Sequence, residues 1–186
     1  MVSRRVVCNG VLALGLALLG GCGGGGADSR FRDSVGDVKG ADGPDLALVT
    51  VSHDDTTVGF SVRFAKAPPL GASAAEEWVD MLLIGIDVPP IGLDPTPTGW
   101  RGVDYVLGLH GPQTEVVFRK MSSTGVDRLP LDVEDDTLSF SVLRAELGDP
   151  ARFKFTVAAG REAKDVEQGS EDYAPAEGTF AYELAD

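Results

Sequence analysis

The chain has 186 residues, with 16 Lys and Arg against 29 Asp and Glu and a formal net charge of -13. That balance excludes a conventional nucleic-acid binder, because phosphate contacts need clustered basic side chains. Hydrophobic residues at 43% are too many for a disordered chain. They suffice for one core, so the length allows one domain with an anchor.

Met1-Val2-Ser3-Arg4-Arg5 opens the chain with positive charge, and the apolar run Val11 to Leu19 follows. A basic start, a short apolar run and small residues form a secretory signal. As a membrane span, Val6 to Gly21 is short of the roughly 20 apolar residues required, and it contains Cys8 and Asn9. Leu19-Gly20-Gly21-Cys22 then resembles the bacterial lipobox, in which Leu and two small residues precede the lipid-bearing Cys. The resemblance implies a signal peptide over residues 1–21 and acylation of Cys22 with diacylglyceryl and palmitate-type chains. Anchoring to a bacterial membrane outside the cytoplasm would follow.

Loss of Arg4 and Arg5 with the signal would take the net charge from -13 to -15. Cys8 would leave with it and Cys22 would be acylated, so neither of the two cysteines is left for a disulfide or a catalytic thiol. Residues 22–32, opening with Gly23 to Gly26, read as a flexible tether, and 33–186 as one domain.

The domain begins with recurring acids, Asp33, Asp37, Asp42 and Asp45, in a Gly-rich stretch. Calcium takes six to eight oxygens in irregular geometry, and crowded carboxylates repel unless neutralised. Calcium is therefore the one cofactor this segment suggests, and no other is expected. The preferred reading is that these acids only shape turns, with calcium as the alternative.

Strands follow. Leu46 to Val51 comes first, then Val58, Phe60, Val62 and Phe64 alternating with polar or small residues. Ala72 to Glu77 reads as one helical turn, Trp78 as core, and Met81 to Ile86 as a central strand apolar on both faces. Between Asp87 and Asp104 lies a loop with Pro89, Pro90, Pro95 and Pro97 that carries Trp100. Val103 to Leu109 and Val116 to Phe118 are the next strands. Leu138 to Val142, Phe153 to Val157 and Phe180 to Leu184 alternate again. Leu143 to Leu147 reads as a helical turn stopped by Gly148. Turn residues fall between, such as His53-Asp54-Asp55 and Gly148-Asp149-Pro150. The expectation is an all-β antiparallel sandwich of about eight or nine strands, with Phe60, Phe140 and Phe155 buried.

Several turn residues recur in an order that resembles a known family. They include Asp33-x-x-Gly36-Asp37, Pro44-Asp45-Leu46, Asp87, Thr98-Gly99 and Gly102-Val103-Asp104-Tyr105. Ser141-Val142-Leu143-Arg144-x-x-Leu147-Gly148 and Ala174-Pro175-x-x-Gly178-x-Phe180-x-Tyr182 complete the order. The pattern is similar to DOMON-like and family 9 carbohydrate-binding modules of secreted bacterial proteins. It implies a β-sandwich and speaks for the fold more than for any activity.

Only His53 and His110 could act as imidazole bases, both at turns, and neither lies in a metal or nucleophile motif. No enzymatic activity is expected. The preferred reading is a lipid-anchored binding or scaffolding module of the cell envelope, with the membrane as one partner and a glycan or envelope protein as the other. A carbohydrate-binding module using Trp100, Asp87 and Asp104 is one alternative, since an exposed indole can stack on a sugar, whereas Trp100 folded back as a lid over the sandwich end would not. A small hydrolase with an unrecognised carboxylate pair is another.

Overall fold

The structure is a computed structural model that describes residues 28–40, 43–75, 77–89, 94–96, 99–164 and 169–184, with backbone alone for 94–96 and 99–101. Cys22, the lipobox and Asp42 lie outside the described residues.

Strands run along most of the described chain, the longer ones built mainly on period-two patterning. The first five are β1 (Ser29–Arg32), β2 (Lys39–Gly40), β3 (Leu46–His53), β4 (Thr57–Phe64) and β5 (Ala72–Ser73). Then come β6 (Trp78–Asp87), β7 (Asp94–Thr96), β8 (Gly99–Arg101), β9 (Tyr105–His110) and β10 (Glu115–Lys120). The last are β11 (Val126–Pro130), β12 (Asp132–Glu134), β13 (Thr137–Leu143), β14 (Arg152–Ala163), β15 (Ser170–Ala174) and β16 (Phe180–Glu183).

One five-stranded sheet has the order β1-β3-β4-β13-β12. A nine-stranded sheet runs β11-β10-β9-β6-β14-β15-β2, with β16 also on β14 and β5 also on β6. Every pairing is antiparallel. The all-β antiparallel sandwich expected from the sequence is the observed fold. Strand segments exceed eight or nine because β1, β2, β5, β7, β8 and β12 have only two to four residues each. Backbone pairing, not side-chain pattern, makes those short segments strands.

The two sheets meet through the alternating apolar residues. Phe60 of β4 touches Phe153 and Phe155 of β14 at ring-centroid distances of 6.1 and 6.0 Å. Phe60, Phe140 and Phe155 are 1%, 6% and 0% exposed, as the alternation requires. Leu82, Ile84 and Ile86 of β6 join the same core, and β6 lies between β14 and β9. Each such side chain contributes roughly 1.5–3 kcal/mol by leaving water. Within β3 the register shifts between Leu46 and Leu48, so the buried positions change parity from Leu46 to Val49 and Val51.

Local chemistry sets the turns. Asp54 accepts hydrogen bonds from Thr56 N, Thr57 N and Thr56 Oγ1, and these donors, the two backbone ones foremost, lower its pKa to about 2. A short 3-10 helix spans Arg144–Leu147 and is stopped by Gly148 in the left-handed region at φ +80°, as read from the sequence. Two expectations are corrected. Ala72 to Glu77 is not helical: Ala72 and Ser73 pair with Val79 and Trp78, because the open edge of β6 offers them hydrogen bonds. Trp78 is half-buried outside the core cluster, since its ring lies under the guanidinium of Arg161, with Cζ 3.8 Å from the ring centroid.

An acidic seam between the two sheets

The candidate functional site forms where the chain enters the five-stranded sheet. β1 falls within residues 22–32, which the sequence suggested as tether. Phe31 ties it down by packing against Phe155 and Phe180 at 5.0 and 4.8 Å. The ladder continues one step past β1, as Asp33 N donates to Ala47 O at 3.2 Å. The chain then turns at Gly36, whose φ of +89° suits a residue without a Cβ. Gly36 N donates to both carboxylate oxygens of the buried Asp45, at 3.2 and 3.0 Å. That contact curls residues 33–38 back over the start of β3.

From the other sheet comes Asp172. In β15 the alternation points Asp172 inward, opposite Ala159 of β14. Only 3% exposed, it accepts a 2.6 Å hydrogen bond from Leu46 N. One carboxylate thus joins β15 to β3 across the edge of the sandwich. The outcome is that Asp33, Asp37 and Asp172 each offer an oxygen, all within 4.8 Å of one another. Beside them is a cavity of about 30 Å3 whose lining includes Asp37, Lys39, Glu171, Asp172 and Tyr173.

The electrostatics follow from crowding and burial. The pKa of Asp33 is raised to about 7, by burial first and then by the neighbouring Asp172, Asp37 and Asp45, against the Ser34 backbone hydrogen bond. Asp172 rises to about 6, again through burial first, with Asp37 and Asp45 adding to it and the Leu46 N–H opposing. Oδ2 of Asp33 is enclosed and accepts no hydrogen bond. A buried carboxylate oxygen without a donor is costly. Protons relieve that cost below neutral pH, and a cation would relieve it above.

Of the sequence candidates, Asp33 and Asp37 are brought together, and Asp45 stands behind them as the acceptor for Gly36. Sequence reasoning missed Asp172. Its signal was the inward set Ser170, Asp172, Ala174, an acid on a face otherwise fit for burial.

The other candidates are elsewhere. Asp104 accepts a hydrogen bond from Val88 N at 2.9 Å and pins the base of the Pro-rich arm. Asp87 is 1% exposed at the end of β6. Trp100 belongs to β8, which among the described residues pairs with β7 alone and sets Trp100 opposite Pro95. His53 Nδ1 lies 2.7 Å from Tyr182 Oη, joining β3 to β16 across the sandwich. His110 is exposed at the end of β9. Among the described residues no helix is long and apolar enough to cross a membrane. No family model matches the chain, and no curated protein does.

Proposed function

We propose that the protein is a non-enzymatic, lipid-anchored binding or scaffolding module of a bacterial envelope, stabilised outside the cytoplasm by a calcium ion at the acidic seam. The observation that carries the calcium reading is the convergence of Asp33 and Asp37, from the turn after β1, with Asp172 of β15. Asp33 would bind through its enclosed Oδ2, Asp37 from the turn, and Asp172 through a carboxylate already oriented by Leu46 N. The donor set is all oxygen, which suits a hard cation, and the irregular loop suits calcium better than the near-octahedral demand of magnesium. When bound, calcium supplies charge neutralisation and a bridge between the two sheets. Asp45 keeps its bonds to Gly36 and holds the turn in place.

The lipobox-like Leu19-Gly20-Gly21-Cys22 supports the anchor. Anything attached through the N-terminus pulls on β1, an edge strand that among the described residues pairs with β3 alone. The seam follows directly after that strand and fastens it to β15. Two measurements test the proposal separately. Cys22→Ser should leave an unprocessed precursor or move the protein to the soluble fraction, because one lipidated residue is the only lipid signal in the chain. Continued partition of a processed Cys22→Ser chain into detergent would contradict the anchor. For the seam, excess calcium should raise the melting midpoint over chelator as RT ln(1 + [L]/Kd) dictates. Superimposed melts in calcium and chelator would contradict the ion.

A further inference from the structure

Strand β6 is apolar on both faces, a pattern that calls for cover on each. The core takes the face with Leu82, Ile84 and Ile86. Register sets out the opposite face in rows. Val117, Gly108, Leu83, Ala158 and Tyr173 stand side by side on β10, β9, β6, β14 and β15. The row on one side of this centres on Met81, and the row on the other on Gly85 beside Val106. Within the three rows β9, β6 and β14 carry no Asp, Glu, Lys or Arg. Met81, Leu83, Val106 and Val117 are only half-buried. Exposed charges border the patch: Glu115 and Arg119 on β10, and Lys154 and Glu162 near the two ends of β14.

We propose that this face docks a second copy of the chain, through a twofold axis that crosses the strands along the Leu83 row. The argument is charge complementarity. Such an axis turns each strand end for end about the row and makes the patch its own partner. Glu115 then meets Arg119 of the second copy, and Lys154 meets its Glu162, each pair occurring twice. Met81 falls on Gly85 of the second copy, where no side chain stands, and Leu83 falls on Leu83. A twofold running along β6 would instead set Glu115 on Glu171, so the charges select the crossing axis. Arg128 lies nearest the axis on β11 and already has Glu115 at 3.5 Å as its counter-ion. From β10 to β15 the face is about 19 Å wide, and from Val79 to Asp87 about 27 Å long. Two such faces bury roughly 1,000 Å2, the lower bound for a specific interface. A lipid surface fits less well, because Glu115, Glu162 and Glu171 border the patch and a net charge of -13 opposes anionic headgroups. The seam takes no part, since Asp172 points to the other face of β15 from Tyr173.

The test is sedimentation equilibrium of the processed Cys22→Ser chain. A dimer with a dissociation constant on the order of micromolar is expected. Leu83→Glu, which sets two carboxylates face to face, should weaken it at least about hundredfold. Reversing one exposed charge, as Glu115→Arg or Arg119→Glu, should weaken it about tenfold without lowering the melting midpoint. Both reversals together should restore the dimer, because the pair across the axis is re-formed. A monomer at millimolar concentration would overturn the proposal. A dimer indifferent to Leu83→Glu would overturn it too, as would a double reversal no tighter than either single one. Flotation of a monomeric chain with zwitterionic lipid vesicles would replace the second copy by a lipid surface.

Discussion

Asp172 does most to hold the seam together, because it accepts from Leu46 N while facing Asp33 and Asp37. Its pKa of about 6 and that of Asp33, about 7, lie above the ordinary 3.8. The folded, ion-free protein therefore keeps protons that the unfolded chain releases between about pH 4 and 7. Stability in chelator should fall as pH rises through that window and then level off, since stability rises with pH only where the unfolded state holds more protons. Melts in chelator at pH 5 and pH 8 check this, and a higher midpoint at pH 8 would contradict it. Calcium needs the charged carboxylates, so its stabilising increment should grow over the same window.

Arg161 carries a second residue-scale prediction. Its Nε lies 2.8 Å from Asp80 Oδ1. Arg161→Met would leave the buried Asp80 without its guanidinium partner while keeping the 3.2 Å hydrogen bond from Gly71 N. The expected loss is about 2 kcal/mol by denaturant titration, below the ~3–5 kcal/mol of a fully buried broken pair because the Arg161 side chain is 23% exposed. An unchanged midpoint would mean that the pair contributes nothing net. Asp33, Asp37 and Asp45 were legible as an oxygen-rich cluster because they are close in sequence. Asp172 and the Asp80–Arg161 pair were not, because only the register of distant strands brings their partners together.

At the scale of elements, β14 is the strand on which the nine-stranded sheet turns. One edge pairs with β6 from Lys154 to Ala163. Its other edge takes β16 opposite Arg152 to Phe155 and β15 opposite Val157 to Arg161. The approach of β15 depends on Gly160, where a Cβ would collide with the Ser170 carbonyl oxygen. Gly160→Ala should therefore push β15 away, lower the melting midpoint, and weaken the calcium increment by displacing Asp172. Retention of both would show that β15 can shift without disturbing the seam. In the core, Phe60→Ala should cost about 3–5 kcal/mol in transfer and cavity terms, read from the denaturant midpoint. The alternating strands β4, β13, β16 and the first half of β14 could be read directly, since each shows one apolar face to the core. The Ala158-Ala159-Gly160 half of β14 has no such pattern, and β15 is mostly polar. The strand state of β1, β2, β5, β11 and β12 comes from their neighbours.

Across the whole molecule, the two sheets are joined by the apolar core and, at one margin, by charge. Edge strands carry the weaknesses of a sandwich. Here β12 is short and acidic at Asp132 and Glu134, and β11 brings exposed Asp127 and Arg128 to the opposite sheet's edge. The β1 edge differs, since it is the end through which the N-terminal anchor would attach. The proposed ion at Asp33, Asp37 and Asp172 would make that edge resistant wherever calcium is abundant. The most direct measurement is calorimetric titration of calcium into the chelator-stripped, soluble Cys22→Ser chain and its Asp172→Asn variant. One ion per chain should bind, releasing protons near pH 6.5, with binding lost or weakened at least about tenfold by Asp172→Asn. Absence of binding, or equal affinity in the Asp172→Asn variant, would contradict the seam as a calcium site.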